Sequence, residues 1–238
     1  MNQNGPRPLP SDPVVLAAIR PMTTPDLDDV VRLHQAAMGH SLWADLGPRF
    51  LRALYSGLLN SIHFRAFVFL DQGHVGGFIA GSDDAPAMMS EVRRQCFWPL
   101  LWAALRGLIR RPLLIGRLLQ TRSYFRLSSL PGLEHVRAES MFCSFEPHLR
   151  GTRVSGVINK VLFDELAARG HQFVKITTEA DNEGAVRQLS SWGFEQRGHF
   201  RFYGKEMIAW RLDLQGSARV NPAERLVFPP DGSLAGKR

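Results

Sequence analysis

Residues 136–170 constrain the fold more than any other part of this chain. A run of β-forming residues at 136–145 ends at Phe145-Glu146-Pro147, a turn follows through Arg150-Gly151, and a helical pattern then runs over 152–169. Val154, Val157, Ile158, Val161, Leu162 and Leu166 recur at the spacing of one helix face, so that helix has an apolar stripe to bury. Gly170 stands where helices commonly close on a left-handed residue. Strand, turn and amphipathic helix in this order require a sheet with a helix laid on its face.

The same reading extends to both sides. Residues 14–19 are a short apolar run before Arg20-Pro21 and predict a first strand. Thr24-Pro25-Asp26 is a helix start, with a hydroxyl cap, proline in the first turn and an acid after it. Leu27, Val30 and Val31 supply its apolar face, and Phe50, Leu51, Leu54 and Leu58 predict a second helix over 48–59. Residues 64–70 and 74–82 predict a hairpin around Asp71-Gln72-Gly73, in which Gly76 and Gly77 signal a bulge or a close backbone approach. Further on, 173–178 predict a strand, 183–192 a short helix, and 194–203 with 205–214 a closing hairpin around Gly204. The order β, α, α, β, β, insert, β, α, β, α, β, β is that of an α/β (mixed α+β) chain. It implies a single mixed sheet of about six or seven strands flanked by helices. The expected organisation is a polar arm at 1–13, one domain at 14–214 with a helical insert at 83–134, and a loosely ordered tail at 215–238.

Composition narrows the partners. The formal charge of +7 favours anions, and nucleic acid, a membrane surface and a phosphate-rich cofactor all fit it. Nucleic acid is the weakest of these, because no helix-turn-helix or RNA-binding motif accompanies the charge. Cys96 and Cys143 are far apart and form no CxxC pattern, which excludes a disulfide framework and suits a reducing, cytoplasmic setting. Residues 1–13 lack an apolar h-region. The histidines show no metal-ligand spacing, so no metal is expected.

The insert carries Trp98, Trp102 and many leucines among arginines, and Pro99 and Pro112 divide it into two or three helices. Its charges interrupt 97–119 too often for a spanning helix. It reads as helices packed over the sheet, as a wall of an acceptor site, or as a basic amphipathic segment in peripheral contact with an anionic membrane. Its apolar content also makes a homodimer a consistent reading.

The stretch Phe145-Glu146-Pro147-His148-Leu149-Arg150-Gly151-Thr152-Arg153-Val154-Ser155-Gly156 has the makings of a pyrophosphate seat, because exposed N–H groups at a turn join the positive end of a helix dipole. About thirty residues downstream stand Asn182, Ala185, Leu189 and Trp192-Gly193-Phe194. The two segments, in this order, resemble the GNAT acetyltransferase superfamily, with its "V-x-P-x-x-R-G-x-G-x-G/A" cofactor loop and its "N-x-x-A-x-x-x-Y-x-x-x-G-F" unit. The resemblance runs over about 14–214 and is strongest at 139–194. It implies an acetyl-CoA-dependent N-acetyltransferase acting on a small-molecule amine by direct attack. Backbone around Cys143, Ser144 and Phe145 would pair with the pantetheine arm. N–H groups from Gly151, Thr152, Arg153, Val154, Ser155 and Gly156 would hold the pyrophosphate, with Arg150 beside them at the cofactor site. Asn182 would lie beside the pantetheine or acetyl end, and its position before Glu183 also fits a helix N-cap.

Three residues depart from the pattern: Arg153 and Ser155 stand where small residues are usual, and Leu189 where tyrosine is. Leucine cannot protonate a leaving thiolate, a role then open to Ser190, Tyr203 or water. A thiol of pKa about 8.5 also leaves without an acid at some loss of rate. Amine attack on a thioester needs a base and N–H donors for the oxyanion. Glu139 is the family-like base; plain strand alternation sets it on one face with Met141 and Cys143. A strand glutamate also commonly pairs with an arginine such as Arg137 or Arg126, and Glu179 and His148 are further base candidates. The alternatives are a non-catalytic CoA-binding or partner module of this fold, and a membrane-surface acyltransferase anchored by the insert.

Overall fold

The structure, a computed structural model, describes residues 12–38, 41–110, 130–202 and 204–228. Among them seven strands form one mixed sheet: β1 (Ile19–Pro21), β2 (Phe64–Asp71), β3 (His74–Ser82), β4 (Ala138–Phe145), β5 (Phe173–Glu179), β6 (Glu195–Phe202) and β7 (Lys205–Asp213). They lie in the order β1-β2-β3-β4-β5-β7-β6. Every neighbouring pair is antiparallel except β4 and β5. A parallel pair needs a crossover, and the helix over Arg153–Ala168 supplies it.

Among the described residues the first element is helix α1 (Pro13–Ala17), where the apolar run had predicted a strand. The Asp12 carboxylate accepts the N–H groups of Val14 and Val15, and Pro13 takes the first helical position. That cap outweighs the β preference of the valines, and only Ile19–Pro21 is left to pair with β2. A 3₁₀ turn at Thr24–Asp26 leads into α2 (Leu27–Met38), followed by α3 (Leu42–Asp45) and α4 (Pro48–Leu59). In the turn, Asp26 accepts from Thr23 and pairs through two oxygens with Arg20, which fixes where α2 leaves the sheet.

Both predictions for the glycine pair in β3 hold. The register with β2 shifts so that Gly76 is the extra residue, and the Phe145 ring lies directly over Gly77. The insert opens as α5 (Ala85–Arg110), which breaks at Cys96, where φ is −116° and ψ 19°. Pro99 has no N–H for the carbonyl of Gln95, and its ring crowds that turn. Pro112 and the residues to 129 lie outside the described residues.

Helices α6 (Arg153–Ala168) and α7 (Glu183–Trp192) cover one face of the sheet. Ile158, Leu162, Phe163 and Leu166 of α6 meet Val174, Leu189, Trp192 and Trp210 there. On the other face α2, α4 and the first part of α5 bury Leu33, Leu51, Tyr55, Met88 and Val92 against Val68, Phe78 and Ala80. Residues 215–228 make specific contacts where the sequence suggested loose order. The Asn221 N–H donates to Asp164, Glu224 reaches Lys160, and Leu226 and Phe228 pack on the α6 core. Residues 229–238 lie outside the described residues.

Candidate active site

Strands β4 and β5 run side by side for only three residue pairs: Ala138 with Val174, Glu139 with Lys175, and Ser140 with Ile176. Beyond them β4 continues to Phe145 on β3, and β5 continues to Glu179 on β7. The sheet therefore forks. Each arm is fully paired on its outer edge, and the inner edges past Ser140 and Ile176 carry backbone N–H and C=O groups with no ladder partner among the described residues. Such a cleft suits an extended, amide-containing ligand that can complete the interrupted ladder.

A bulge at Met141 starts the fork, since the β3 register passes from Ala80–Phe142 to Gly81–Ser140. It also corrects the expected side-chain directions. Met141 and Phe142 both lie on the α2–α4 side, whereas Cys143 packs on the α6 side. Glu139 therefore does not share a face with Cys143. It lies opposite Lys175 in the parallel pair, on the side away from Ala138 and Val174.

Three consecutive residues of α2 hold the β4 arm. Arg32 pairs with Glu146, the Leu33 carbonyl accepts the Ser144 hydroxyl at 2.9 Å, and the His34 ring packs on Phe142. His34 is fully buried, and its Nδ1 lies 2.9 Å from the Tyr55 hydroxyl. Its Nε2 has no hydrogen-bond partner among the described residues, and burial lowers its pKa to about 4. Sequence reading missed this residue, because a lone histidine on an apolar helix face carries no distinguishing spacing. Burial likewise pushes the Cys143 thiol up to about 12, against a weak contact from the Asn159 amide at 3.9 Å. The thiol is therefore neutral near pH 7, which does not suit a nucleophile.

At the mouth of the fork the loop turns on Gly151, whose φ is +72° and whose surroundings are open for 4 Å. Only glycine takes that conformation without strain. The Arg150 side chain folds back, its Nε donating to the Phe145 carbonyl at 3.2 Å. Thr152 caps α6 by accepting the Val154 N–H. The N–H groups of Arg153 and Ser155 then lie in the first helical turn, where no preceding carbonyl can take them. Val154 is buried in the core, while Gly151, Thr152 and Arg153 are exposed and Ser155 and Gly156 half-buried. An open glycine turn beside first-turn amides and a helix dipole has the chemistry that suits a phosphate.

On the opposite arm Asn182 follows the end of β5 and caps α7, its side chain accepting the Ala185 N–H at 3.1 Å. Leu189 points into the α6 core and Ser190 is exposed on α7; Tyr203 lies outside the described residues. Glu139 is buried, with its Oε2 3.7 Å from the equally buried Lys175 Nζ. Of the two arginines expected beside Glu139, Arg137 pairs with Asp84, and Arg126 lies outside the described residues. The other base candidates are engaged too, His148 with Asp71 at the β2–β3 turn and Glu179 with Lys205. Among the described residues no group of three His, Cys, Asp or Glu side chains is arranged to hold a metal ion.

No protein-family model matches the chain. Over 68 residues, 29% of its length, it is 34% identical to mycothiol acetyltransferase of Brachybacterium faecium, and the match spans 20% of that protein. Solved structures align over much more. The ribosomal-protein-alanine N-acetyltransferase of Brucella melitensis gives a TM-score of 0.53 at 16% identity, covering 82% of this chain and 98% of that one. An N-acetyltransferase of Staphylococcus aureus Mu50 gives 0.52 at 15% identity, covering 82% and 96%. The structure of SsHAT gives 0.57 at 16% identity, covering 84% and 98%. The chain thus has the fold of the GNAT N-acetyltransferases, as its motifs had implied.

Proposed function

We propose that this chain is an acetyl-CoA-dependent N-acetyltransferase that acetylates the amine of a small-molecule acceptor in the cytoplasm. One observation carries the reading: the β4–β5 fork opens onto the Gly151 turn and the capped start of α6. The fork offers unpaired backbone to the amides of a pantetheine arm, and the loop offers N–H groups to a pyrophosphate. Ligand and cleft match in chemistry at both ends.

In this reading the amine nitrogen attacks the thioester carbonyl carbon, the C–S bond breaks, and the acetyl group leaves on nitrogen. Unpaired N–H groups on the inner edge of β4 past Ser140 are the donors available to the oxygen that gains charge. Glu139, two residues before the bulge, is the proposed acceptor of the amine proton, directly or through one water. The thiolate takes its proton from water, since position 189 holds a core leucine. Asn182 borders the fork from the β5 side while capping α7.

Calorimetry with CoA and acetyl-CoA, followed by thiol release with a panel of amines, tests the reading. Micromolar binding with turnover of one amine class supports it, and absence of binding at millimolar ligand ends it. Leu189 favours one alternative, a CoA-binding module without catalysis, which tight binding without turnover of any acceptor would support.

A further inference from the structure

The second half of α5 wears its side chains inside out. Leu100, Ala103 and Ala104 face the core under α4, so the buried stripe is mostly alanine. Trp98, Trp102, Leu105 and Ile109, spaced i, i+4, i+7 and i+11, face solvent at 65%, 63%, 39% and 81% exposure. Phe97, half exposed, stands edge-on to Trp98 and widens the stripe. A helix meant to meet only water on its outer side has the reverse distribution. A contiguous row of this kind marks a surface that another apolar phase covers.

Charge identifies that phase. From Val92 to Leu133 the sequence has eight arginines and no carboxylate, and four of them (Arg93, Arg94, Arg106 and Arg110) belong to α5. Beside the stripe, a groove of about 590 Å³ opens between α5 and the α3–α4 segment, with Trp102, Arg106 and Arg49 among its lining residues and Asp45 on its wall. Aromatic and aliphatic side chains flanked by arginines match the boundary of a bilayer whose headgroups are anionic. Among the described residues no helix is long and apolar enough to cross a membrane.

We propose that the outer face of α5 docks on an anionic membrane, with Trp98, Trp102, Leu105 and Ile109 in the acyl boundary and the exposed Arg93, Arg94 and Arg106 among lipid phosphates. The proposal does not depend on acetyl transfer, and its test reads no catalysis.

The full chain is mixed with vesicles of phosphatidylcholine alone or with phosphatidylglycerol added, and floated on a density gradient. Flotation with the anionic vesicles, lost in high salt and absent with phosphatidylcholine alone, is expected. Trp98→Glu/Trp102→Glu, at exposed positions that leave the core intact, should reduce the floated fraction at least about tenfold. Arg106→Gln should weaken it about fivefold, the contribution of one basic residue near such a surface. Wild-type protein that stays in the dense fraction with anionic vesicles overturns the proposal. If sedimentation then gives a dimer that the Trp98→Glu/Trp102→Glu variant dissociates, the face belongs to a second copy of the chain.

Discussion

Gly77 and Phe145 are in contact as no other residue pair at this site could be: a Cβ added at Gly77 would stand 2.2 Å from the Phe145 ring. The ring of the last β4 residue therefore sits against the backbone of its β3 partner, and the turn into the Gly151 loop starts from that point. The Glu146 N–H, bonded to the Gly76 carbonyl at 2.8 Å, secures the same point.

Gly77→Ala must lift the ring, because the nearest atoms belong to a rigid aromatic. Destabilisation of about 1–3 kcal/mol is expected, and about 2–4 °C of melting temperature for each kcal/mol. Gly73→Ala is the control. Its φ is +85° and nothing lies within 4 Å, so it pays backbone strain alone, about 1 kcal/mol. Thermal melts rank the two, and Gly77→Ala alone should also weaken CoA binding.

Much of this was legible in the sequence, and the exceptions share a cause. Helices α4, α6 and α7 and the hairpins were readable from period and punctuation, since Thr152, Asn182 and Gly193 serve as the caps their types suggest. Three features depended on events that periodicity does not encode. The Asp12-Pro13 cap turned a valine run into α1. The Met141 bulge put Glu139 and Cys143 on opposite faces. Most of the site's geometry comes from β4 and β5 parting after three residue pairs, a property of two strands paired 36 residues apart that neither strand carries in its own sequence.

Glu139 and Lys175 form a buried pair, so loss of either partner affects both stability and any catalysis. If Glu139 takes the amine proton, Glu139→Gln should lower kcat by about 10²-fold or more while the CoA affinity stays within a few-fold. A purely structural pair predicts the opposite pattern: reduced stability with kcat per folded molecule retained. Steady-state kinetics alongside calorimetry separates them.

Arg153 offers a cofactor phosphate both a backbone N–H and a guanidinium, and substitution can part the two. Arg153→Ala removes only the guanidinium. Arg153→Pro removes the N–H as well, at the first helical position, where proline fits and where the extended Thr152 before it (ψ 175°) accepts one. If the amide holds the pyrophosphate, the proline variant should bind CoA at least about tenfold more weakly than the alanine variant. Equal affinities would remove the first-turn amide from the site.

His34 makes the fold sensitive to mild acid. Burial depresses its pKa to about 4, whereas the unfolded chain titrates near the ordinary value of 6.5. Above 6.5 both states hold the neutral ring and the difference contributes nothing to pH dependence. As pH falls from 6.5 towards 4 the unfolded state takes up a proton that the folded state refuses, and stability drops by about 3 kcal/mol. Below 4 both states are protonated and this contribution levels off. His34→Gln, which can still reach the Tyr55 hydroxyl, should remove most of that slope at some cost in packing at neutral pH. Urea titrations at pH 7.5, 6, 5 and 4 (chosen to bracket the interval, about one unit apart) measure the slope directly. An unchanged pH dependence in the glutamine variant would mean that the ring is hydrated or protonated in the native state. The grip of α2 on Phe142, and so on the β4 arm, would then be looser than the burial of His34 implies.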